Sequence, residues 1–149
     1  MQTNQKPRIP YWHLWTDADG ISYQTRCFLT EFELQSIGRP AQPQWQGHRT
    51  RAEVNVMMTV LPVGWVGAWH ENPKPQWILP RSGRWFVESM DGQRVEMGPG
   101  EISFGADQSA KETGGRKGHL SGVVGDAPAV LMLVQFEGAL PGPSPCLFR

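Results

Sequence analysis

Turn-forming residues recur along most of this chain at intervals too short for helices. Asn72-Pro73, Ser82-Gly83, Asp91-Gly92, Gly98-Pro99-Gly100 and Gly125-Asp126 interrupt runs of only four to eight residues. Proline removes a backbone donor and glycine adds conformational freedom, so both break helices and mark turns. The runs between them predict short strands at Trp65 to His70, Gln76 to Pro80, Arg84 to Ser89, Gln93 to Met97, Glu101 to Phe104, His119 to Val124 and Ala129 to Phe136. Asp91-Gly92 between two such runs is a hairpin signal. Arg51 to Val60 has the clearest alternation: Ala52, Val54, Val56, Met58 and Val60 are apolar, while Arg51, Glu53, Asn55 and Thr59 are polar. A period of two means a strand with one buried face. Eight or nine short strands and no helix-period segment predict an all-β sandwich or barrel.

Residues 1–10 are expected to form a flexible arm and Tyr11 to Trp15 an aromatic cluster, followed by a turn at Asp17-Ala-Asp19-Gly20. That turn superficially resembles a calcium loop, but its Gly stands fourth rather than sixth and no Glu follows at the required spacing. Thr25 to Ile37 reads as a strand, and the Pro- and Gln-rich residues 39–50 as a loop. Lys111 to Gly118 is a polar, glycine-rich loop without the order of a phosphate loop. The 149 residues suit one domain, 1–149, with one hydrophobic core.

Lys plus Arg and Asp plus Glu are balanced at 14 each, which argues against nucleic acid as a partner. Arg49, Arg51, Arg81 and Arg84 read as solvated surface. The longest apolar run, Ala129 to Val134, is far short of a membrane span, so no membrane partner is expected. Cys27 and Cys146 lie far apart and do not make a disulfide framework; free thiols and a cytoplasmic location are the expectation.

Chemistry concentrates between residues 64 and 83. His70 and Asn72 share a strand face, and the Pro73–Pro75 turn lets Gln76 return toward the same interior. The spacing Gly64, His70, Asn72, Gln76, Gly83 resembles the first motif of the cupin superfamily, with Asn72 in place of the second His and Gln76 in place of Glu. Pro99-Gly100-Glu101 is similar to the start of the family's second motif, whose His falls on His119 if the preceding loop is eight residues longer. The resemblance covers residues 51–137. It implies a double-stranded β-helix (jelly-roll) barrel, a homodimer, and a site inside the barrel. By the same resemblance His70, Asn72, Gln76 and His119 are candidate ligands of a divalent ion: Fe, Mn, Ni, Zn or Cu.

Neutral imidazole is a common ligand for such ions, and amide oxygens are weak additions. No carboxylate stands at a matched position; Glu53, Glu88 and Asp107 are unmatched candidates. By the resemblance the expected function is a metal-dependent cupin oxygenase, isomerase or lyase acting on a small organic molecule, with residues 106–118 as a lid. The alternative is a metal-free cupin that binds or senses a small molecule; a metal-free acid/base enzyme, with a His oriented by a carboxylate, lies between the two. Trp69, Trp77 and Trp85 are expected to pack the walls and Ile78 to face inward. On the last strand either Ala129, Leu131, Leu133 and Gln135 or Val130, Met132, Val134 and Phe136 face in. His13 and His48 read as surface or aromatic packing.

Overall fold

The computed structural model describes residues 5–138 and 144–149; part of the expected arm, residues 1–4, lies outside them. Eleven strands are present, in place of the eight or nine expected, and no helix occurs among the described residues. They are β1 (Ile9–Thr16), β2 (Ser22–Leu29), β3 (Phe32–Gln35), β4 (Gln44–Gly47), β5 (Val54–Leu61), β6 (Gln76–Ser82), β7 (Arg84–Ser89), β8 (Arg94–Met97), β9 (Ser103–Ala106), β10 (His119–Val124) and β11 (Ala129–Phe136).

Two strands, β1 and β4, were hidden from pattern reading, and one expected strand is split in two. The aromatic cluster at residues 11–15 is the body of β1, and the arm's last two residues, Ile9 and Pro10, already belong to it. The expected strand from Thr25 to Ile37 breaks after Leu29, and its second half forms a hairpin with β4 inside the expected loop 39–50. Conversely, Trp65 to His70 is not a full strand: only Val66 and His70 form bridges, to Gly122 and His119. Between these bridges three residues of the segment face two on β10, which is a bulge. The Asp17 turn is held as read, with Asp17 Oδ1 accepting from the Asp19 and Ile21 amides.

Nine of the strands form two facing sheets that do not close into one ring, and β3 and β4 pair as a separate hairpin. The larger has the order β2-β1-β9-β6-β11-β5, with β1 and β9 parallel. The smaller has the order β10-β7-β8, and residues 65–70 lie on the free side of β10. Between them pack Leu14, Leu61, Ile78, Ala129 and Leu131 from the larger sheet and Trp85, Val87, Val95 and Met97 from the smaller. Odd-numbered residues of β11 therefore face in, which places Gln135 on the interior side.

Strand alternation gives the larger sheet a second, outer face. There Tyr11, Cys27, Leu29, Phe104 and Phe136 pack under Phe32 of the β3–β4 hairpin and under Cys146 and Phe148. Trp77 belongs to this outer cluster rather than to the interior wall. The C-terminal segment is fastened in three ways. Cys146 is disulfide-bonded to Cys27, its amide donates to His13 Nδ1 at 3.0 Å, and Tyr11 Oη donates to the Phe148 carbonyl at 3.0 Å. The expectation of free thiols is thus corrected, and the argument for a cytoplasmic location that rested on them goes with it. A sequence separation of 119 residues concealed that β2 and the chain's end share one sheet face.

The apolar row of β5 differs from expectation too. β5 is an edge strand, and Val54, Val56, Met58 and Val60 are exposed rather than buried.

Candidate functional site

Five polar side chains meet where the ends of β9, β6, β10 and β11 come together. Asp107 follows β9 directly and is fully buried. Its Oδ2 accepts from His119 Nδ1 at 2.7 Å. Its Oδ1 accepts from both nitrogens of Asn72, the backbone amide at 2.9 Å and Nδ2 at 2.7 Å. Gln76 Nε2 donates to Asn72 Oδ1 at 2.6 Å, and Gln135 Nε2 donates to Gln76 Oε1 at 2.8 Å. The Asn72 carbonyl accepts from Gln108 Nε2 at 2.9 Å. The donors thus line up along one chain, from Gln135 through Gln76 and Asn72 to the carboxylate.

Local sequence explains this convergence. Gln76 opens β6 opposite both Gly105 of β9 and Gln135 of β11. Gly105 leaves room for the Asn72 side chain: a Cβ there would lie 2.5 Å from Asn72 Nδ2. Gly118, at φ +72°, brings its neighbour His119 against His70, and a Cβ there would lie 2.3 Å from the His70 carbonyl oxygen. The His70 and His119 backbones exchange two hydrogen bonds, and their ring centroids are 4.5 Å apart.

Asp107 is the one buried carboxylate of this network. Burial alone pushes its carboxyl pKa up. The His119 charge, the hydrogen bond from that ring and the two from Asn72 outweigh burial and hold it below the usual carboxylate value. The anion in turn fixes the ring. A carboxylate only accepts, so the neutral His119 ring carries its hydrogen on Nδ1 and presents a bare Nε2. His70 is set the same way, because its Nδ1 lies 2.6 Å from the Ala68 carbonyl oxygen. Unlike His119, which is buried, His70 is solvent-exposed.

The four expected ligands are therefore neighbours with different roles. His70 and His119 stand side by side with Nε2 unengaged by protein. Asn72 and Gln76 lie behind His119 with their carbonyl oxygens already accepting amide hydrogens. Of the three unmatched carboxylates, Asp107 joins the site, on the far nitrogen of His119, while Glu53 is exposed and Glu88 sits on β7. Among the described residues no three His, Cys, Asp or Glu side chains lie together as a metal cage. The donor set thus offers two imidazoles and no anionic ligand, which is an incomplete fit for a divalent ion. The role of Asp107 was not legible from spacing, since twelve residues separate it from His119. Gln108 and Gly105 carried no sequence signal at all.

The loop after Ala110 makes a tight turn at Thr113–Arg116, with the Arg116 guanidinium 5.3 Å from the ring centre of Trp69, next to His70. A separate cleft of about 550 Å³, lined by residues including Lys6, Glu31, Phe32, His48 and Arg49, shares no residue with the network and offers opposed surface charges. His13 and His48 lie outside the network, His13 buried against Phe104 and His48 half-buried beside Phe32. No helix among the described residues is long and apolar enough to cross a membrane. No protein-family model and no curated protein matches the chain.

Proposed function

We propose that this chain is a jelly-roll protein of cupin type whose site handles a small organic molecule through the His119 imidazole, with Asp107 as its orienting anion. Nested strand pairing supports the jelly roll. From β5 onward, counting residues 65–70 as a strand, the first of eight pairs with the last, the second with the seventh, the third with the sixth and the fourth with the fifth. The observation that carries the chemistry is the 2.7 Å contact between Asp107 Oδ2 and His119 Nδ1. A buried carboxylate on Nδ1 holds the ring in the tautomer whose Nε2 takes a proton, and stabilises the cation once it has done so. The reaction class this fits is proton transfer to and from a bound molecule, with His70 beside the working nitrogen and the 111–118 loop as cover.

A second reading has its own support. Metal-bound imidazoles usually donate their other N–H to a carboxylate or a carbonyl, as His119 and His70 both do. In that reading the two Nε2 atoms hold a divalent ion whose remaining positions go to water or substrate.

Imidazole NMR separates the two. With equimolar Zn²⁺ or Mn²⁺, the proposal expects the His70 and His119 signals to stay in place. With a panel of small carbonyl and carboxylic compounds it expects at least one to shift them, an effect lost in His119→Gln. A stoichiometric metal complex that broadens or moves both rings would replace the first reading by the second.

A further inference from the structure

The outer face of the larger sheet is covered along only half its width. Over β1, β2 and β9 the chain lays its own hairpin and C-terminal segment. Over β5 and the part of β11 before the buried Phe136 no described residue does so. Val56, Met58 and Val60 on β5 are 53%, 57% and 60% exposed. Directly opposite them on β11 stand Val134, Met132 and Val130, and beyond Met132 lies Leu79 of β6. These seven side chains are all aliphatic or thioether, and none bears a charge. Alternation with Asn55 and Thr59 gives β5 the pattern of a strand buried on one face, yet that face is open in the single chain.

We infer that this bare half-face is the contact surface between two copies of the chain, packed outer face to outer face about a two-fold axis. Independently of the site chemistry, three observations select a second copy as occupant. The patch is self-complementary: a two-fold axis sets aliphatic rows on aliphatic rows and traps no unpaired charge or amide. Nothing polar within it provides a code by which an unlike protein would be chosen. Its exposed area, on the order of 500 Å², lies in the upper part of the roughly 300–600 Å² range of the largest apolar patch on a monomer and supplies more than half of the roughly 800 Å² per partner of a stable interface. β5 also lacks the lysines, prolines and bulges that protect a free edge strand.

Sedimentation velocity from 5 to 200 μM tests this on the full chain, beside Met58→Lys and the near-isosteric Val56→Thr. The side chains are open in the single chain, so both variants should keep the wild-type near-ultraviolet circular dichroism. The wild type is expected to be a dimer. Met58→Lys, which enters the interface twice, should weaken association about a hundredfold, and Val56→Thr about tenfold. A wild type that stays monomeric throughout overturns the inference, including the case where it binds phospholipid vesicles through this face instead. So does a dimer that Val56→Thr and a folded Met58→Lys leave intact. If Met58→Lys does not fold, Val56→Thr decides the matter alone.

Discussion

Acidification should loosen this protein through one buried ring, His13. The residue is 1% exposed, and burial lowers its pKa from 6.5 to about 4. Its Nδ1 accepts the Cys146 amide at 3.0 Å, so a proton arriving there would set two donors against each other. The folded state thus binds this proton more weakly than the unfolded state does. Above pH 6.5 both states are neutral and the contribution to stability is fully present; it is lost as pH falls from 6.5 toward 4 and is constant below that. At about 1.4 kcal/mol per pH unit the whole window is worth about 3 kcal/mol, of which about 2 kcal/mol falls between pH 7 and pH 5. Urea unfolding followed by tryptophan fluorescence at pH 7, 6 and 5 reads this directly. His13→Gln retains a side-chain acceptor but no titrating group, so it should be less stable at pH 7 and lose about 2 kcal/mol less than the wild type on the way to pH 5. Parallel loss in both proteins would refute the assignment of this acid sensitivity to His13.

Other consequences concern the network and the clasp. Asp107→Asn replaces an anion by a dipole on His119 Nδ1 and on two Asn72 donors, and should cost roughly 1–3 kcal/mol in urea unfolding at pH 7; an unchanged midpoint would show the carboxylate to be idle. Asp107 also contributes acid sensitivity of its own. Its stabilising effect is present above the unfolded value of 3.8 and lost as pH falls through its lower folded value, so between pH 3.8 and pH 2 the wild type should lose more stability than Asp107→Asn. Gly105→Ala drives a methyl into the Asn72 amide and should shift the His119 and Asn72 side-chain NMR signals while leaving those of Trp85 in place. Cys146→Ser opens a cross-link spanning 119 residues and should cost about 4 kcal/mol, matching wild type measured in reductant; equal midpoints with and without reductant would contradict it.

What could be read ahead of the structure divides along physical lines. Strands β6, β7, β8, β10 and β11 were legible because turn residues bracket each of them and each alternates or runs apolar. β1 was missed because four of its residues are aromatic or His, which signals packing without a period. β4 was missed because Gln44, Gln46 and Gly47 have little intrinsic preference for a strand; its pairing with β3 supplies the order. The apolar row of β5 was read correctly as a pattern and wrongly as buried, because alternation says that a face seeks cover and not which surface provides it. At the site, motif spacing located His70 and His119 together with Asn72 and Gln76. It could not reveal that the two amides serve Asp107, because hydrogen-bond direction depends on which strand ends meet. The Cys27–Cys146 bond was hidden for the same reason.

The tautomer of His119 is the most direct test of the site. Long-range ¹H–¹⁵N correlation on histidine-labelled protein, at a pH where the imidazoles are neutral, reads which ring nitrogen holds the hydrogen. Anchored by Asp107, His119 should carry it on Nδ1 and show a bare Nε2, with that preference lost in Asp107→Leu. A His119 protonated at Nε2 would contradict the account, because the nitrogen assigned to chemistry would have no lone pair to offer.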